Sequence, residues 1–166
     1  MNEVPSTKRS STIFLQAVIV LIGIGALALM LWEPHLEGRN AHATLYEIYF
    51  NDPFLAYAYL ASIAFFVALF QAFTLLGYIG QDKLFSPGSL RALRIIRNCS
   101  ITLVAMIGAA VAYLLIAVRG KDDIAGGVAM GVVMVLASVA VAVAAAVFER
   151  LLRNAPDMKF KNDLTA

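Results

Sequence analysis

Four stretches of the chain contain no Asp, Glu, Lys, Arg or His: Thr12 to Trp32, Phe54 to Tyr78, Cys99 to Val118 and Ile124 to Phe148. Each is 20 to 25 residues long. About 20 helical residues are needed to cross a hydrocarbon core of ~30 Å. The runs do not alternate apolar and polar residues, as the strands of a barrel would. A helix satisfies its own backbone at that depth. The pattern therefore predicts an all-α integral membrane four-helix bundle, with one domain over residues 1–166 and spans at about 12–32, 54–78, 99–118 and 124–148. The connections are an external loop at 33–53, a cytoplasmic connection at 79–98, a second external loop at 119–123 and a cytoplasmic tail at 149–166.

Within the spans, small residues recur at helical spacing. Ala61, Ala64, Ala68 and Ala72 share a face of the second span, with Phe66, Phe70 and Phe73 on the opposite side. Ala105, Gly108 and Ala112 do the same in the third. The fourth carries Gly127 and Gly131, then Ser138, Ala142 and Ala145. Small side chains let helix backbones approach closely in lipid. The Gly127/Gly131 pair suits internal packing, or alternatively a homodimer contact. The five-residue second loop makes the last two spans an antiparallel hairpin.

Composition agrees with this layout. The chain of 166 residues is 61% hydrophobic and only 14% charged, with a mean hydropathy of +0.80; soluble domains average about 25% charged. Sorting the 13 basic residues by side gives the orientation. Ten lie before the first span, between spans two and three, or after span four: Lys8, Arg9, Lys83, Arg91, Arg94, Arg97, Arg150, Arg153, Lys159 and Lys161. Only Arg39, Arg119 and Lys121 lie opposite. The bias predicts both termini and the middle connection on the cytoplasmic side of the membrane. The first span also carries an Ala26-Leu27-Ala28 sequence of signal-peptide type, but its apolar run is longer than the 7–15 residues of a signal core. It is read as a retained helix.

The termini and loops make further expectations. Residues Met1 to Ser11 are read as disordered, and Asp52-Pro53 as the start of the second helix. Ser86-Pro87-Gly88-Ser89 reads as a turn, with Ser89 capping the next helix. At about 100° per residue, with Arg91 at 0°, Arg94 falls near 300°, Arg97 near 240° and Asn98 near 340°. Most apolar neighbours face away. This makes a short interfacial amphipathic helix leading into the third span, its basic face toward headgroups and cytosol.

Candidate chemistry is sparse. The spans hold no ionisable residue of the kind that marks a transport or proton pathway. Gln16, Gln71 and Thr74 are the strongest intramembrane polar groups, read as interhelical hydrogen bonds and, alternatively, as lining groups of a small transporter or channel component. His35 and His42 share the first loop with Glu33 and Glu37. No tight metal spacing accompanies them, so they read as solvated residues; an enzyme or sensor using that loop is a second alternative. The single Cys99 excludes an intrachain disulfide and a CxxC motif. No nucleotide fingerprint, catalytic order or zinc spacing is present, so no enzyme activity, cofactor or metal is expected. Three arginines beside a bilayer are a small footprint for nucleic acid, and no direct nucleic-acid binding is expected. The basic residues Lys83, Arg91, Arg94, Arg97, Arg150 and Arg153 are candidates for lipid contact and for a cytoplasmic partner.

The run Leu69 to Cys99, LFQAFTLLGYIGQDKLFSPGSLRALRIIRNC, resembles a bacterial inner-membrane family known as domain of unknown function 2975. The matching residues are Phe85, Ser86, Ser89, Leu90, Leu93, Arg94 and Ile95, and the four-span layout from Thr12 to Asn154 also fits. The resemblance implies a four-helix membrane protein with no established biochemical activity. Genes of this family often neighbour a small helix-turn-helix transcription regulator. What that implies is a non-enzymatic membrane protein that binds or sequesters such a regulator, an inference by association.

Overall fold

The computed structural model describes residues 6–36, 53–118 and 124–163, with side chains described for 10–32, 54–117 and 124–154. Four long helices account for nearly all of it: α1 (Ser6–Leu36), α2 (Pro53–Gly80), α3 (Pro87–Tyr113) and α4 (Ala125–Asp163). All four are long and apolar enough to cross a membrane. No strand occurs among the described residues. The protein is an all-α four-helix membrane bundle.

The helices pack chiefly in chain order, α1 on α2, α2 on α3 and α3 on α4. The central helices α2 and α3 therefore each have two packed faces, while α1 and α4 each have one. The covered positions of α1 include a series at Thr12, Gln16, Ile19, Gly23, Ala26 and Met30, with Val18 beside it. Those of α4 include a series at Val128, Gly131, Val135, Ser138, Ala142, Ala145, Glu149 and Leu152, with Ala146 beside it. Both series alternate steps of three and four. A mean step of about 3.5 residues is the repeat of left-handed helix packing, common in membrane bundles. Beside each seam the helix is apolar and exposed, as at Leu21, Leu29, Val133 and Leu136. That surface suits lipid.

Three boundaries differ from the sequence reading. Helix α1 begins at Ser6, so residues 6–11 are helical rather than disordered. These polar residues continue a helix already nucleated by a long apolar run, which adds a bond for each residue fixed. Helix α3 begins at Pro87, before the Ser89 cap that the turn reading gave, and runs unbroken into the span as expected. It passes into one π-helical turn at Leu114–Val118. Helix α4 does not stop near Phe148 but runs to Asp163. The loop residues 37–52, with His42, lie outside the described residues, as do 119–123.

The turn from α2 to α3 is closed at both ends by backbone chemistry. Lys83 N–H donates to the Tyr78 carbonyl (2.9 Å) and Asp82 N–H to the Ile79 carbonyl (3.1 Å). This is a Schellman motif, with Asp82 in the left-handed region at φ 54°. Asp is one of the few residues other than glycine that enter that region readily. On the far side the cap is Ser86, not Ser89 as the turn reading expected. The Ser86 hydroxyl accepts from Ser89 N–H at 3.3 Å, and Pro87 takes the first helical position. The reason is that proline lacks an N–H that would have been unpaired there anyway. Ser89, fully buried, donates its own hydroxyl to the Lys83 carbonyl at 3.0 Å. Gly88 is needed because a Cβ there would stand 2.7 Å from the Tyr78 ring.

The core gathers at this end of the bundle. Leu93 and Ile96 of α3 meet Ala145 and Leu152 of α4, with Ala72 and Leu75 of α2, Leu84 of the turn and Leu90 around them. At the opposite end, Gly131 lets α4 close on α3. A Cβ built at Gly131 would overlap Val111 Cγ2, and one at Gly127 would touch Leu114 at 3.5 Å. Gly131 is thus occupied by α3 within a single chain.

This arrangement makes a glycine series informative. In an open helix interior, Gly→Ala stabilises by about 0.5–1 kcal/mol. Gly108→Ala, with nothing within 4 Å of the new Cβ, should follow that rule. Gly131→Ala should reverse it, losing about 1–3 kcal/mol through overpacking against the stiff Val111. Unfolding midpoints of the two variants in mild detergent, compared with wild type, check the opposite signs.

Candidate functional site

The strongest polar constellation lies at the core end, where α3 begins and the covered face of α4 ends. Its centre is Glu149, whose side chain is only 6% exposed. Arg97 Nη1 donates to Glu149 Oε2 at 2.6 Å, and Arg94 Nε to Glu149 Oε1 at 3.2 Å. Arg153, one turn further along α4, donates from Nη2 to Oε1 at 3.5 Å. Arg97 is also held by Asn98, whose Oδ1 accepts from Nε and Nη2 at 3.4 and 3.3 Å.

Helix geometry explains why these groups meet. The buried residues of α3 are Ser89, Ala92, Leu93, Ile96 and Ser100. They fill an arc of about 100° to 200° on the scale that sets Arg91 to 0°. Arg97 and Arg94, near 240° and 300°, lie just past the Leu93 edge, toward α4. Arg91 lies beyond them and is exposed. On α4, Glu149 follows Gly131 by eighteen residues, five full turns, so it continues the same small-residue stripe. A carboxylate on that stripe is carried into the helix contact and needs partners, because burying an unpaired charge is costly.

The arrangement differs from a basic face turned wholly to headgroups and cytosol: two of the three arginines reach across to a neighbouring helix. Glu149 had fallen outside the fourth span as the charge-free run defines it. The signal that finds it is the three-and-four spacing from Gly131 through Ser138, Ala142 and Ala145, which reaches Glu149 and then Leu152.

Arg94, Arg97, Arg150, Arg153 and Glu149 together line a cavity of about 320 Å³. Four guanidinium groups face one carboxylate, leaving a net charge of +3. Lys83 and Arg91 are exposed at the same end but do not line it.

The intramembrane polar residues divide. Gln16 donates from Nε2 to the Phe73 carbonyl on α2 at 3.2 Å. Thr74 instead donates back to Phe70 of its own helix at 2.9 Å, a bond that satisfies the hydroxyl without tying two helices. Gln71 is half-buried on α2. Two interhelical bonds come from residues that sequence reading had not singled out. Tyr57 donates to the Met106 carbonyl on α3 and Tyr59 to the Met30 carbonyl on α1, both at 2.8 Å. Tyrosine hydroxyls commonly find such partners when buried. Among the described residues, no group of three or more His, Cys, Asp or Glu side chains is placed to hold a metal. The side chain of His35 and the whole of His42 lie outside the described residues.

These observations define a multi-pass helical membrane protein with a cationic pocket at one end. The chain belongs to the family described as a protein of unknown function, DUF2975, whose model matches residues 37–166. It is also similar to the uncharacterized membrane protein YoaS of Bacillus subtilis (strain 168), at 41% identity over 160 residues. That match covers 95% of this chain and 98% of the relative. No solved structure matches the chain.

The Arg97–Glu149 pair can be isolated by a double-mutant cycle. Glu149→Gln and Arg97→Gln should each destabilise the protein, Glu149→Gln the more, by about 1–3 kcal/mol, because hydrogen bonds to charged groups are the stronger kind. The double variant should cost less than the sum of the singles, with a coupling of about 0.5–2 kcal/mol after solvent screening of the half-exposed arginine. Unfolding in detergent measures it.

Proposed function

We propose that this chain is a non-enzymatic protein of the bacterial cytoplasmic membrane that docks a cytoplasmic protein on its basic end. In this reading both termini and the α2–α3 turn face the cytoplasm, as the ten-to-three distribution of basic residues favours. The partner class named by the family resemblance is a small helix-turn-helix regulator, held at the membrane and so kept from DNA.

The observation that carries this reading is the exposed cationic surface at the turn end. Lys83, Arg91 and Arg150 are exposed beside one another's elements, and α4 continues as helix to Asp163. Its 39 residues amount to about 58 Å of helix, well beyond the ~30 Å of a hydrocarbon core. An acidic patch on a partner would find charge complementarity there, which favours encounter and register. The polar residues of the spans weigh the same way. Gln16 and Thr74 are engaged with backbone carbonyls, which leaves few groups to line a conduction path.

Lys83→Gln/Arg91→Gln tests the docking surface without touching the Glu149 cluster. Crosslinking in native membranes followed by affinity recovery should return about 30-fold less partner than wild type at equal protein level, since each of the two cations is worth ~1 kcal/mol in such a field. Undiminished recovery would count against the surface. The orientation has its own test. With Cys99→Ala as background, a cysteine placed at Thr7 should resist a membrane-impermeant maleimide in intact cells and react once the membrane is opened.

A further inference from the structure

The pocket around Glu149 has more cationic capacity than the fold uses. One carboxylate has two oxygens, and Arg97 and Arg94 already occupy one each. Arg153 adds a longer bond to Oε1, at 3.5 Å, and Arg150 lines the same cavity. Each guanidinium presents five N–H donors in a planar fork. Arg94 and Arg153 each direct one of theirs to Glu149, so most of the donors around the cavity remain for a further acceptor. The matching chemistry is a phosphate, which guanidinium forks bind bidentately.

Depth and surroundings say where that phosphate comes from. The uncharged run of α4, from Ile124 to Phe148, spans about 37 Å as helix, so Glu149 and Arg150 stand just past the hydrocarbon edge, at headgroup level. Below Arg150 on the same side of α4, Val139 and Val143 are exposed, and Ile101 is exposed below Arg94 on α3. The cationic cavity thus opens above an apolar strip between two spans, which is the form of a lipid site: a headgroup above and acyl chains below.

We propose that this pocket binds the phosphate of an anionic glycerophospholipid, through Arg94, Arg150 and Arg153, with Glu149 and Arg97 setting the geometry. The site goes beyond the docking reading and does not depend on it. Glu149 acts as the organiser: it holds two arginines in a fixed fork while leaving the pocket net positive.

The full-length protein in neutral detergent, titrated with short-chain phosphatidylglycerol and followed by native mass spectrometry, should retain bound lipid. Phosphatidylcholine should be retained at least about tenfold less. Arg150→Gln/Arg153→Gln removes two exposed cations with little burden on folding, and should weaken phosphatidylglycerol retention by about 30-fold, from ~1 kcal/mol per cation. Lys83→Gln, outside the cavity, should leave it unchanged. Equal retention of the two lipids, or an unchanged double variant, would overturn the proposal. Inorganic phosphate forms the last arm: if it displaces the lipid at equal concentration, the site is one for a free anion and the lipid assignment fails.

Discussion

Helices in lipid have no water to squeeze out from between them, so they are held by close contact and by the few polar bonds they can exchange. In this protein every neighbouring pair has such a tie. Gln16 and Tyr59 join α1 to α2, Tyr57 joins α2 to α3, and Glu149 with its arginines joins α3 to α4. The first three end on backbone carbonyls, whose second lone pair is available even inside a helix. They need no matching polar side chain on the neighbour, and so leave an otherwise apolar interface. The ionic tie alone needs both partners, and it sits at the one end where α3 starts and the uncharged part of α4 stops. Placed a few turns deeper, the same charges would meet the full cost of desolvation.

The remaining attraction comes from shape. The seams of α1 and α4 repeat at steps of three and four, and on α4 they are dominated by Gly, Ala and Ser. Small residues bring the backbones together, and the larger apolar side chains turn outward. Gly131 shows the limit of this principle, since Val111 already fills the space a methyl group would take. Helix α1 has a single narrow seam on α2, and the family model begins at residue 37, just after it. The constellation around Glu149 lies wholly within the part that the family shares.

Much of this was legible in the residues because the bilayer is a strict solvent. Charge-free runs of sufficient length mark spans, and the small-residue stripes of α2 and α4 mark inward faces; the stripe expected on α3 does not, since Ala105 and Ala112 are exposed and nothing lies within 4 Å of a Cβ at Gly108. The ends of the helices were harder. The charge-free run gave α4 an end at Phe148, but a helix that has crossed the interface continues while its backbone bonds continue, and α4 did so to Asp163. Ser89 was read as the cap of α3, but Pro87 takes the first helical position and so moves the cap to Ser86. Tyr57 and Tyr59 were hidden for another reason: a tyrosine donating to a backbone carbonyl has no partner residue type to search for. Glu149 was hidden by the rule that found the spans, because a rule keyed to missing charge assigns the first charged residue to the tail.

That misplacement bears on how the basic end works. Read as a tail residue, Glu149 would offset one positive charge in solution. Buried on the α4 stripe, it instead fixes two arginines of α3 in place and spends most of their entropy during folding rather than at binding. A structural ion pair would need one arginine, or two to serve both oxygens. Four line this cavity; Arg153 adds only a longer bond to Oε1, at 3.5 Å, and Arg150 takes no part in the pairing. Their presence beside a preorganised pair, at headgroup depth, is what the stability of the bundle leaves unexplained and what recognition of an anion would require.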